Sequence, residues 1–226
     1  MAQVNRKLLK LAFASTILFN QRLKEPIEAR DRDPIWGTAA ALVILTFSSP
    51  EACRPEQAWP MKSSGSSDLE WLRMSSGKMA LWHMVNPLRP DSIFSVMAGT
   101  FADMSLPLPE GGIDSMPVLL AAACNLKASS TAETNPYFHS AHAVSRILDL
   151  PDSEVRTGQV QVFTQTIHGS FKDLLRERDP VALLLLYLFY RKASRSIWWI
   201  ELRARVECPS ILGVFELSTA AVGFLI

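Results

Sequence analysis

Apolar residues return along this chain in steps of three and four, the spacing of a helix face. Leu8, Leu11, Ala14 and Leu18 form a first stripe, widened by Phe13, Ile17 and Phe19. A second runs through Trp71, Met74, Met79, Trp82 and Val85, with Lys78 and His83 off it. Val144, Ile147 and Leu148 make a short face; Val155, Val162, Phe163 and Ile167 make another, and Phe171, Leu174 and Leu175 a third. Val181–Tyr190 is apolar all round, which predicts a central helix surrounded by others. Ile197, Trp198, Ile200 and Leu202 open a last long helix, expected to bend or end near Pro209 because proline removes a helix hydrogen bond.

Punctuation supports the same reading. Asp33-Pro34, Asn135-Pro136 and Asp179-Pro180 each set a capping side chain before a proline. The cap accepts a free backbone N–H, and proline at the first helical position has none to waste. Ser67-Asp68-Leu69-Glu70 matches a capping box, with Ser67 as cap and Glu70 reaching back. Ser49-Pro50 and Ser115-Met116-Pro117 are weaker signals of this kind. Such a series of helix starts is hard to reconcile with a sheet. The fold expected is all-α, an irregular multi-helix bundle around the central apolar helix Val181–Tyr190. Pro55–Ser67, Leu106–Ser115 and Lys127–Thr134 read as loops, none long enough to separate independent domains. Residues 1–226 are therefore expected to form one helical domain.

Composition narrows the picture only slightly. Hydrophobic residues make up 48% of the 226 and charged residues 20%, an ordinary globular balance. Lys and Arg total 23 against 22 Asp and Glu, so no global charge draws the chain onto nucleic acid or an anionic membrane. Val181–Tyr190 falls short of the roughly 20 residues of a membrane-spanning helix and is closed by Asp179-Pro180 and Arg191-Lys192. Arg6, Lys7 and Lys10 precede an apolar run, but Ser15, Thr16 and Asn20 dilute it, so no secretory signal is read there.

Motifs for catalysis are not evident. Cys53, Cys124 and Cys208 are far apart and form no paired zinc-ligand spacing, so they read as small apolar core residues in a reducing compartment. His139 and His142 stand three apart on one helix face, but no E-x-x-H partner accompanies them and a solvated face is expected. No nucleophile motif joins the four histidines. Asp149, Asp152 and Glu154 read as helix caps, and the glycines build no phosphate cradle. Arg191, Lys192, Arg195, Arg203 and Arg205 form a basic zone tempered by Glu201 and Glu207, expected to be solvated surface. No catalytic residue, metal ligand or cofactor site is assigned. The six Trp, eleven Phe and eight Met are the unusual supply. Met79, Trp82, Phe163, Phe171, Tyr187, Tyr190, Trp198 and Trp199 could line an apolar cavity between helices, although core packing is the plainer expectation.

Phe19–Trp59, Asp68–Ser92, Asn135–Leu150 and Phe171–Cys208 resemble, in order, the C-terminal regulatory region of fungal six-cysteine binuclear-zinc-cluster transcription factors. Within that family they are most similar to the subgroup of sterol uptake control regulators. Arg178-Asp179-Pro180, the leucine run after it and the Trp198-Trp199 pair are the most specific pieces. The resemblance implies an all-α regulatory domain that binds an apolar, sterol-like small molecule and governs transcription from the nucleus; without it, the cytoplasm would be expected. It places the ligand against Phe171, Leu175, Leu184, Tyr187, Tyr190, Trp198 and Trp199. The sequence departs from the family by lacking the six-cysteine cluster, which excludes DNA binding through that cluster. It is also expected to be truncated at its N-terminal side, and residues 218–226 form an atypical apolar tail.

Two other functions fit the same residues. One is a hydrophobic-cavity enzyme of fungal secondary metabolism, cyclase-like, working by positioning rather than acid–base groups. The other is a helical interaction module, forming a homodimer or a heterodimer with a related full-length regulator. No direct nucleic-acid contact and no membrane span are expected in any of the three.

Overall fold

The structure, a computed structural model, describes residues 15–50, 52–65 and 68–218. The stripe from Leu8 to Ala14, the Ser67 cap and the tail after Ser218 lie outside the described residues. Residues 15–22 are helical (α1). There follow α2 (Arg32–Ser48), α3 (Glu70–Ala80), α4 (Trp82–Val85), α5 (Ala98–Met104), α6 (Val118–Ala123) and α7 (Phe138–Leu148). The chain continues through α8 (Thr157–Thr166), α9 (Gly169–Arg176), α10 (Pro180–Ala193) and α11 (Trp198–Ser218). One isolated antiparallel bridge, Gly111 to Thr131, interrupts this helical series. The fold is thus an all-α irregular bundle, and no strand occurs among the described residues. Contacts divide it into two compact units, Met1–Phe47 with Leu69–Ala98, and Ser48–Asp68 with Gly99–Ile226.

In the first unit, α2 buries Ile35, Trp36, Ala39, Leu42 and Phe47. Trp36 meets Trp82 edge-on at 5.4 Å between ring centroids, and Phe47 meets Trp71 edge-on at 4.7 Å. Lys78 was expected off the apolar stripe but is buried, with its ammonium 5.5 Å from the centre of the Trp36 ring. The negative face of the indole partly replaces lost water, while burial holds the Lys78 pKa below its ordinary value.

Asp33 does not cap its own helix. The 3₁₀ turn Ala29–Asp31 leads straight into α2, whose first residue is Arg32. Asp33 instead accepts from Arg89 Nη2 at 2.6 Å, Ser92 Oγ at 2.8 Å and the Ile93 amide at 3.0 Å. These donors, the Ile93 amide foremost, hold its carboxyl below the usual carboxylate range. α3 likewise begins at Glu70, after Leu69 turns through the left-handed region, so Glu70 is its first residue rather than the third.

In the second unit, α10 packs on α7, α8, α9 and α11. It buries Ala182, Leu183, Leu185, Leu186, Phe189, Tyr190 and Ala193. Each fully buried large apolar side chain is worth about 1.5–3 kcal/mol relative to exposure. Asp179 caps it as the sequence predicts: Oδ1 accepts the Val181 and Ala182 amides at 3.0 and 2.9 Å, with Pro180 in the first turn.

α11 does not stop at Pro209 but runs on to Ser218. The segment read as a linker docks here. Pro55–Gln57 forms a 3₁₀ turn against α11, and Ala58 and Trp59 are buried. Ser210 Oγ donates to the Ala58 carbonyl at 3.1 Å and accepts the Met61 amide at 3.2 Å. A Cβ at Gly213 would lie 2.5 Å from Met61 Sδ, so glycine lets Met61 seat there. This packing supports the helix beyond the hydrogen bond that proline removes.

Candidate functional site

A cleft of about 300 Å³ opens in the second unit beside α7, α8 and the chain that leaves α5. Met104, Leu106, Leu108 and Val162 supply its apolar wall. Ser105, His139, Gln165, Thr166 and His168 supply the polar one. The volume is at the small end of ligand sites, which span about 300–1,000 Å³.

Two contacts build the apolar wall. Gly158 on α8 lies so close to α5 that a Cβ there would be 2.5 Å from the Thr100 carbonyl oxygen and 2.6 Å from Asp103 Cβ. The wall segment is pinned from the other side by Arg146 of α7. Its guanidinium donates to the Leu106 carbonyl at 3.3 Å and also to the Pro107 carbonyl.

The polar wall is held differently at each residue. Thr166 Oγ1 donates to the Phe163 carbonyl at 2.7 Å, so the Ser140 hydroxyl, 2.8 Å away, is the donor in that pair. The ring nitrogens of His139 and His168 and the side-chain amide of Gln165 make no hydrogen bond among the described residues. Burial first, and the neighbouring His168 second, push the His139 pKa below its ordinary value. The lining carries no carboxylate.

His142 departs from expectation. It is buried rather than solvated, its ring tilted against that of Phe138 at 4.5 Å between centroids, with Nε2–H donating to the Gly112 carbonyl at 3.1 Å. Gly112 reaches that position through the Gly111–Thr131 bridge and a left-handed φ of 84°. His139 and His142 therefore serve different surroundings, and no group of three or more possible metal ligands occurs among the described residues.

The positions taken from the resemblance are spread over several environments. Phe171, Leu175, Tyr190 and Trp199 are buried, Leu184 and Tyr187 are half-buried, and Trp198 is 63% exposed. Phe163 packs edge-on to Phe171 at 6.4 Å and stacks on Phe189 at 4.4 Å. Tyr190 faces α11, where its hydroxyl donates to Glu207 Oε2 at 2.7 Å. Arg203 pairs with the other oxygen of that buried carboxylate.

The basic zone is largely consumed by partners within the chain. Lys192 and Arg195 pair with Asp152 at 3.0 and 3.2 Å, and Arg205 pairs with Glu201 at 2.6 Å. Of the cysteines, Cys53 is exposed rather than in a core. Cys124 and Cys208 have thiols pushed up to about 12 by burial, which keeps them protonated and poor as metal ligands.

Sequence reasoning did not reach Met104, Ser105, Leu106, Leu108, Gln165 or Thr166 as lining residues. None belongs to a local motif, and only the histidines carried a chemical signal.

No family model matches the chain, and no solved structure matches it. Over 134 residues, 58% of its length, the chain is 28% identical to a Zn(2)-C6 fungal-type transcription factor of Gibberella zeae. The match covers 23% of that protein, so the chain spans about a quarter of its curated relative. Over somewhat more than half its length, this all-helical chain is thus distantly similar to a fungal Zn(2)-C6 transcription factor.

Proposed function

We propose that this chain is a ligand-responsive regulatory region of a fungal zinc-cluster transcription factor, of the sterol-uptake-regulator kind. The observation that carries the reading is the similarity to the Gibberella zeae factor over 134 residues. In this reading residues 1–226 act as one regulatory-type region in the nucleus, without DNA binding of their own. Three cysteines, two of them held protonated by burial, support the last point, because a six-cysteine cluster binds zinc through thiolates.

The effector is an apolar small molecule, sterol-like, and its proposed contacts are Phe171, Leu175, Leu184, Tyr187, Tyr190, Trp198 and Trp199. Half-buried Leu184 and Tyr187 and exposed Trp198 are the accessible members of that set. The buried members would transmit binding into the α10–α11 packing. A ligand that prefers the folded chain raises its melting temperature by mass action. Thermal melting across a panel of neutral sterols and apolar fungal metabolites tests this reading. A saturable rise with one class is expected, and a flat panel contradicts it.

A further inference from the structure

We infer that the cleft between the 104–108 segment and helices α7 and α8 is a binding site for a small amphipathic carboxylate. Its headgroup lies between His139 and His168, and its apolar tail runs along Met104, Leu106 and Val162. This site goes beyond the apolar-effector reading, because it uses none of the residues assigned to that effector.

Four observations carry it. The cleft has an apolar wall and a polar wall facing the same 300 Å³ space, which suits a ligand with both characters. Its polar wall presents imidazole and amide groups that make no hydrogen bond among the described residues. No Asp or Glu lines it, so nothing in the lining repels an anion or competes with it for the imidazole N–H groups. Lastly, the wall is built rather than incidental. Gly158 admits the close approach of α5, and Arg146 spends its guanidinium on two carbonyls of the wall segment.

Burial first, and His168 second, disfavour the charged form of His139. A bound carboxylate reverses that relation by accepting N–H hydrogen bonds from both rings, and charge-assisted bonds are stronger than neutral ones. A neutral alcohol of the same length fills the apolar wall equally well but gains only ordinary hydrogen bonds. Discrimination by headgroup, not by tail, is therefore the signature of the site.

The test uses the full chain with straight-chain monocarboxylates from butyrate to decanoate and the matching primary alcohols. Binding is followed by melting temperature and by the side-chain NMR signals of the histidines. The expected result is that a carboxylate binds at least about tenfold more tightly than its alcohol and moves the His139 and His168 signals. His168→Gln, at an exposed position, keeps the fold and loses most of that preference. Equal binding of acid and alcohol, binding that leaves both histidine signals unmoved, or no binding of any carboxylate would each overturn the assignment. Neutral sterols are absent from this series, so its failure leaves the apolar-effector reading untouched, and the converse holds.

Discussion

The Tyr190 hydroxyl on α10 donates to Glu207 Oε2 on α11 at 2.7 Å, and Arg203 one turn earlier holds the other carboxylate oxygen. All three side chains are buried. Removing one charged member of the set takes from the other its buried counter-charge. Removing both charges together relieves that penalty.

Glu207→Leu alone is therefore expected to cost about 3–5 kcal/mol, because the buried Arg203 loses its carboxylate. The double change Arg203→Met with Glu207→Leu should recover most of this loss. Tyr190→Phe should cost about 1–3 kcal/mol, because Glu207 keeps its arginine but loses one donor. Urea unfolding of the set checks the ordering. A double variant worse than the single one would show that the pair is not coupled as described.

Asp179 serves two elements at once. Its Oδ1 caps the first turn of α10 and accepts the Tyr137 hydroxyl at 3.0 Å. Asp179→Ala is expected to lose at least the cap, about 0.5–2 kcal/mol. Tyr137→Phe should cost less, since the cap survives. Equal losses in chemical denaturation would mean that the cap contributes nothing.

Two helical glycines should respond in opposite directions. Gly77 on α3 has open space where a Cβ would go, so Gly77→Ala should stabilise by up to about 1 kcal/mol through helix propensity. The same change at Gly158 drives a methyl into Thr100 and Asp103, and should destabilise by about 1–3 kcal/mol. It should also disturb the cleft wall. Melting curves of the two variants settle the sign of each.

Acid should weaken the fold through the histidines. Burial holds His142, and burial with His168 holds His139, below the ordinary histidine value of 6.5. The unfolded chain then binds protons that the folded chain resists. Stability is complete above 6.5 and falls as the pH drops from there toward the lowered folded values. Each histidine adds a slope of at most about 1.4 kcal/mol per pH unit. His142→Gln should flatten the fall between pH 6.5 and the lowered value, whatever its effect at neutral pH. An unchanged slope would remove His142 from the account.

What the sequence made legible, and what it hid, follows from the range of the interactions involved. Asp179-Pro180 is read correctly because its cap is satisfied within three residues. Asp33-Pro34 carries the same local signal, yet Arg89 and Ile93, more than fifty residues away, claim its carboxylate. Pro209 reads as a place where the helix bends or ends; with Ala58–Met61 packed against Ser210 and Gly213, it does not end there. The all-α class needed only periodicity and caps. The cleft needed three separate segments, 104–108, the start of α7 and the end of α8, and no pattern within any of them announces it.

The role proposed above is regulation of transcription in response to a small molecule. Fusing residues 1–226 to an unrelated DNA-binding domain, and reading a reporter gene in a fungal host with and without sterol supply, tests it directly. The account predicts output that changes several-fold with sterol supply, with the fusion in the nucleus at constant abundance. Constant output from a stable, nuclear fusion across the whole apolar panel would contradict it.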